Sequence, residues 1–232
     1  MADPTIVSVQ SGVYVFPQFL PDAVCCFSTR EFEASRDIPL FLDSIGIPRE
    51  RFATVEQSHG DQIILATGEN LSSIPEADGL VTDQKDLALV IRTADCVPLF
   101  LFDPETPAIG ICHAGWRGTR KGVVLRTLEM FNQSFGSNLR FLEAAMGPAI
   151  CSHCYEVGEE FRDYFPGFVE PRGQKYFFDL RGAIRNQLLE AGLQPEAIWD
   201  SSCCTSCSIN QFYSARKEGA GTGRLISAAV LK

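Results

Sequence analysis

The chain has 232 residues, 45% of them hydrophobic and 21% charged, enough for one large domain or two small ones with a sizeable core. A formal net charge of −9 argues against nucleic acid as the main partner, because binding a phosphate backbone calls for a basic face. Local arginines can still hold a small anion.

The start, Met1-Ala2-Asp3-Pro4, is acidic and precedes no long apolar run, so no signal peptide is expected there. No apolar stretch is long enough to span a bilayer. Residues 7–10 and 13–16 read as a hairpin around Ser11-Gly12, and residues 23–28 as a further short apolar run. Residues 39–45 suggest a short helix. Residues 52–56 and 62–66 flank His59-Gly60-Asp61, where Gly-Asp marks a turn. Residues 87–92, 97–102 and 108–113 are three β-rich runs with polar breaks between them. Residues 118–135 carry Val123, Val124, Leu128 and Phe131 at helical spacing. Residues 142–146 read as a strand, and 156–165 and 179–191 as helices. The second of these has Asp179 as N-cap and Gly192 at its end. The Pro- and Gly-containing stretch 165–174 reads as a surface loop. Residues 198–201 and 225–231 read as strands, the last preceded by the glycine-rich stretch 218–223. There is no internal repeat and no convincing interdomain linker. The expectation is a single α/β domain over residues 1–232, mixed and strand-rich.

Nine cysteines in a chain with no recognisable leader point to reduced thiols and the cytoplasm, since a disulfide framework belongs to oxidising compartments. Histidine is scarce, with three residues at 59, 113 and 153. His59 and His113 each sit beside glycine at a strand end, where the backbone can turn and a ligand can approach closely. Cys96 lies at a third strand end. The separations of 37 and 17 residues match no compact zinc-finger spacing, so a joint site requires the fold to bring three strand ends together. The bland alternative is a pair of hydrogen-bonded structural histidines and a small apolar cysteine.

Several runs resemble one known family. They are Gln57-Ser58-His59-Gly60-Asp61, Glu76-Ala77-Asp78-Gly79-Leu80-Val81-Thr82, Arg92-Thr93-Ala94-Asp95-Cys96-Val97-Pro98 and His113-Ala114-Gly115-Trp116-Arg117-Gly118. Gly147-Pro148-Ala149-Ile150 and Cys154-Tyr155-Glu156-Val157-Gly158 follow in order, with Cys204-Thr205 and Gly223-Arg224 near the end. The family is the multicopper polyphenol oxidase, or laccase-domain, family, whose members are now regarded as zinc-dependent purine nucleoside phosphorylases with adenosine deaminase activity. The resemblance runs from about residue 57 onward. It implies stacked layers of mixed β-sheets flanked by helices. It also implies that His59, Cys96 and His113 match the family's metal ligands. Two positions depart from the family pattern. His153-Cys154 stands where the family has adjacent cysteines, and Ser214-Ala215-Arg216-Lys217 where it has a serine, aromatic, arginine, arginine run.

A His₂Cys set with an open fourth position suits catalytic zinc and also blue copper. Three histidines are too few for a multicopper oxidase, and no methionine lies close after His113 to serve as an axial copper ligand. Zinc is therefore the expected ion, ahead of copper. The implied substrates are purine nucleosides and phosphate. The implied reactions are phosphorolysis of inosine, adenosine and 5′-methylthioadenosine, and deamination of adenosine. Asp95 and Asp61 are the nearest carboxylates for acid–base work, with turn capping or ligand support as the competing role. Arg117 could clamp phosphate, or serve as a surface ion-pair partner. The other readings of the same residues are a non-enzymatic metal-binding or thiol redox-sensing protein, and a zinc hydrolase or oxidase with a different substrate. Cys151-Ser152-His153-Cys154 and Cys204-Thr205-Ser206-Cys207 form two Cys-x-x-Cys pairs. With 49 residues between them, they are expected to be separate thiols near the cleft rather than a second metal site.

Overall fold

The computed structural model describes residues 5–68 and 74–232, so the Met1-Ala2-Asp3-Pro4 start lies outside the described residues. The chain begins with β1 (Val7–Gln10), β2 (Val13–Val15), β3 (Ala23–Ser28), α1 (Ile38–Ser44), β4 (Phe52–Thr54), β5 (Ile63–Leu65) and β6 (Gly79–Thr82). It continues through β7 (Ala88–Thr93), β8 (Val97–Asp103), β9 (Ala108–Ala114), α2 (Trp116–Lys121), α3 (Val123–Phe135) and β10 (Glu143–Met146). Then follow β11 (Glu156–Val157), α4 (Phe161–Tyr164), β12 (Val169–Arg172), β13 (Lys175–Phe178), α5 (Leu180–Glu190), β14 (Ile198–Asp200), α6 (Ala215–Glu218) and β15 (Leu225–Leu231).

Two six-stranded sheets carry the fold, in the orders β1-β2-β3-β15-β7-β4 and β14-β10-β8-β9-β6-β5. Both are mixed: β4–β7, β5–β6 and β10–β14 are parallel, and the remaining pairs are antiparallel. The strand period of two sorts their side chains between layers. In β8, Phe100 and Phe102 meet Phe16, Leu89, Ile91 and Leu225 between the sheets. Val97, Leu99 and Leu101 of the same strand meet Val124, Leu128 and Phe131 of α3 and Ile184 and Leu188 of α5. On the far side, Val90 of β7 and Ala228 and Val230 of β15 pack with Phe41 and Leu42 of α1. The central strands are thus covered on both faces, which is why they read as unbroken apolar runs rather than alternating ones.

The stacked α/β architecture agrees with expectation, and four local features differ. The helix expected over 118–135 is two helices, because Gly122 takes a left-handed conformation (φ 100°) that ends α2 and starts α3 afresh. The helix expected over 156–165 is the short strand β11 followed by the single turn α4. The stretch 165–174, expected as a loop, contributes β12 and the turn into β13 of a third, three-stranded sheet, β11-β13-β12. β6 had no strand reading of its own, although it is central to the site. Among the described residues no helix is long and apolar enough to cross a membrane.

The Asp179 side chain caps α5 as expected, accepting from Gly182 N at 3.0 Å. Asp179→Ala should lower unfolding stability by about 1 kcal/mol, the usual loss for a missing N-cap. Urea denaturation measures it, and an unchanged midpoint would show that the cap contributes nothing.

Candidate metal centre and substrate cavity

β8 and β9 form an antiparallel hairpin in register Val97↔Ala114 and Pro98↔His113. Cys96, just before β8, therefore lies beside the chain leaving β9 at Gly115. His59 arrives from the loop joining β4 to β5, which lie in different sheets. One donor atom from each of His59, Cys96 and His113 lies within 4.8 Å of the other two, and the two imidazoles meet edge to face at 4.7 Å. Gly115 makes this approach possible. A Cβ there would stand 2.7 Å from Cys96 Sγ and 3.3 Å from the His59 ring. His59 and Asp95 both hold positive φ, 60° and 88°, so the backbone is bent out of its ordinary range on either side of the cluster.

The arrangement is organised by Asp78, which is fully buried just ahead of β6. Its carboxylate accepts from the backbone N–H of Ser58, His59 and Gly60 at 3.2, 3.0 and 2.5 Å. His113 Nδ1 lies 2.8 Å from Asp78 Oδ1. Burial alone would raise this carboxyl, but the His113 hydrogen bond and the loop N–H donors hold it down at about 2. An ionised carboxylate can only accept, so Nδ1 carries the hydrogen and Nε2 is left for the cluster. Burial also disfavours a Cys96 thiolate, yet the charge and hydrogen bonds of His113 and His59 bring its pKa down to about 6. The reciprocal pull of Cys96 and Asp78 overcomes desolvation and lifts His113 to about 9. Cys112, next to His113 in the chain but packed in the core outside the cluster, shows the contrast: burial, helped by the Asp78 charge, pushes its thiol up to about 12 despite a hydrogen bond with Thr127. An anionic sulfur and two imidazoles at this spacing make a donor set that fits a zinc-sized ion with one side left open.

The open side faces a cavity of about 330 Å³ lined by His59, Asp95, Cys96, Trp116, Arg117, Tyr155 and Arg216, among others. Arg117 is exposed at the second position of α2 and lies over the Trp116 ring at 4.4 Å. Arg216 lies 5.0 Å from the centre of the Tyr155 ring and donates to Glu156 O. Asp95 is gripped from two directions: Oδ1 accepts from Thr205 Oγ1 at 2.6 Å and Oδ2 from Arg216 N at 2.6 Å. Asp61 does not join them. Its carboxylate faces Arg126, 3.9 Å away, in a separate hollow with Gln62 and Glu129.

Reasoning from sequence missed Asp78, Thr205, Tyr155 and Arg216 as parts of the site. All four stand inside or beside the motif runs, and that position was the available signal. The two Cys-x-x-Cys pairs are also not the separate thiols expected, for Cys151, Cys154, Cys204 and Cys207 bring their sulfurs within 4.8 Å of one another.

Residues 32–232 match the family described as multi-copper polyphenol oxidoreductase laccase. A purine nucleoside phosphorylase of Deinococcus radiodurans is 37% identical over 187 residues, covering 78% of this chain and 71% of the relative. A protein named adenosine deaminase RL5, from an unknown prokaryotic organism, is 31% identical over 204 residues, covering 82% of this chain and 76% of that one. Among solved structures, YlmD from Geobacillus stearothermophilus superposes with a TM-score of 0.90 at 26% identity, covering 99% of both chains. The Bacillus licheniformis protein YfiH does so with the same TM-score and identity, over 98% of this chain and 99% of that one. On the ordered motifs, the stacked fold and the match over most of its length, this chain belongs to the multi-copper polyphenol oxidoreductase laccase family.

Proposed function

We propose that the chain is a zinc-dependent purine nucleoside enzyme that cleaves inosine, adenosine and 5′-methylthioadenosine with phosphate and also deaminates adenosine. The observation that carries this is one cavity, lined by two arginines and two aromatic rings, that reaches the His59 and Cys96 side of a His₂Cys donor set. Relatives named purine nucleoside phosphorylase and adenosine deaminase support it. Zinc held by His59, Cys96 and His113 would supply a Lewis acid with an open position towards the substrate.

The chain's own residues supply the rest. Arg117 binds phosphate as a charge-assisted clamp, and Arg216 adds a second positive charge across the cavity. Trp116 and Tyr155 offer faces to the purine. Burial and the negative charge of Cys96 raise the Tyr155 phenol, so it stays a hydrogen-bond donor. In phosphorolysis a phosphate oxygen bonds to C1′ of the ribose as the C1′–N9 bond breaks, and the base leaves with the electron pair and takes up a proton. In deamination, water adds at C6 and ammonia leaves. We assign the proton handling to Asp95. Asp61, turned towards Arg126, takes no part in this scheme. We treat residues 1–232 as one domain, since β8 contributes to two of the packed layers at once. Nine unpaired cysteines support a reducing compartment such as the cytoplasm.

His59→Ala, Cys96→Ala and His113→Ala should each lose one equivalent of zinc relative to the parent chain, read by elemental analysis. Full zinc content in all three variants would refute the ligand set, and stoichiometric copper with blue thiolate absorption would refute the metal.

Zinc requires a neutral imidazole at His113, and below about pH 9 that ring holds a proton in the metal-free protein. Affinity after chelator treatment should therefore rise about tenfold per pH unit from about 6 to about 9, with about one proton released. Asp78→Asn should lower the affinity about 10- to 100-fold and flatten that slope. A pH-independent affinity in the parent would contradict the assigned protonation.

Arg117→Ala should raise the phosphate requirement and slow phosphorolysis by about tenfold or more, with zinc content unchanged. Adenosine deamination needs no phosphate and should suffer less. Equal loss of both reactions together with zinc would make Arg117 structural instead.

A further inference from the structure

β10 and β14 run parallel in register Met146↔Asp200. Beyond their ends the two chains stay side by side: Ala149 N donates to Cys203 O and Thr205 N to Ala149 O, at 3.1 and 3.2 Å. This brings the Cys-x-x-Cys turn at 151–154 against the one at 204–207, so the 49 intervening residues place no distance between them. The Sγ atoms of Cys151, Cys154, Cys204 and Cys207 all lie within 4.8 Å of one another. Cys207 Sγ is 3.4 Å from Cys154 Sγ and 3.9 Å from Cys151 Sγ. Cys203 takes no part, its thiol turning to Ser201 O.

We propose that these four cysteines bind a second, structural zinc ion as a tetrathiolate site, separate from the His59, Cys96 and His113 cluster. A tetrahedral ion with bonds of about 2.3 Å requires sulfurs about 3.8 Å apart, close to the spacing found. A disulfide would need about 2.05 Å and would pair the sulfurs two by two. Cys207 instead stands near two partners at once. Backbone N–H groups of Cys151 and Cys207 both point at Cys204 Sγ, at 3.3 and 3.4 Å, as suits a sulfur carrying negative charge. The four ligands come from two loops and leave no open position, the arrangement of a structural rather than a catalytic site. Binding releases the thiol protons and ties residues 151–154 to 204–207. That clamp holds Thr205 on Asp95 and fixes the segment that supplies Tyr155.

The test uses the full chain, produced with ample zinc and purified under reducing conditions. The parent should carry about two zinc ions and the triple variant His59→Ala/Cys96→Ala/His113→Ala about one. Replacing that remaining ion with cobalt should give the intense thiolate-to-cobalt charge transfer of a tetrahedral sulfur site. Cys151→Ser/Cys207→Ser should fall from two zinc to one and keep the ion on the two histidines. Five thiols of the parent, these four and Cys96, should resist a disulfide reagent until zinc is withdrawn, and four in the triple variant. One zinc in the parent, with these four thiols freely reactive, would overturn the proposal, as would a Cys154–Cys207 disulfide found by peptide mapping. If the triple variant fails to fold, the zinc and thiol counts of the parent decide the matter.

Discussion

A single buried carboxylate, Asp78, sets the geometry around which the site is built. Burying a charge costs several kcal/mol unless it is fully hydrogen-bonded, and Asp78 meets that condition with three consecutive backbone N–H groups and the His113 ring. Those partners come from separate parts of the chain. The loop carrying His59 would otherwise hang between two sheets, and the His113 ring would otherwise be free to turn. The last of these contacts fixes which nitrogen of His113 is left for the cluster. The ionisation of Cys96 depends on both histidines being there, so it too follows from Asp78.

The second support is the hairpin of β8 and β9. Each strand has side chains in the core between the sheets and in the core beneath the helices. A slip of one residue would exchange the two faces and empty both cores. Cys96 and His113, at the open end of this hairpin, inherit its rigidity, and α2 begins two residues after Ala114. The candidate site therefore sits at the rim of a hairpin that is packed on both faces. Its cationic groups lie on short helices and loops that can vary around it.

The sequence made the hairpin legible because burial on both faces leaves continuous apolar runs at 97–102 and 108–113. It was misleading where pairing across long distances overrode local preference. β11 is only two residues long and exists because β13, some twenty residues later, offers it a partner. Pro171 and Gly173 suggested a loop, yet they fit an edge strand and its turn. The divided helix turns on one residue, Gly122, whose left-handed conformation no hydrophobic period reveals. His59, Cys96 and His113 could be read as candidates, since glycine neighbours and strand ends mark them. Asp78 was visible only as part of a motif, because its role rests on a histidine 35 residues away. The cysteine pairs were misjudged for a related reason: distance along the chain was taken for distance in space, and the parallel pairing of β10 with β14 cancels it.

His59 and Asp95 both occupy the left-handed region of backbone space. A residue with a side chain held there costs about 1–2 kcal/mol, less for aspartate than for most. Glycine at either position would relieve that cost while deleting one donor of the His59, Cys96 and His113 cluster or the anchor for Thr205 and Arg216. Laboratory selection for heat resistance alone would therefore favour losing these two side chains. A more heat-resistant descendant that keeps both side chains would have to gain its stability elsewhere in the fold.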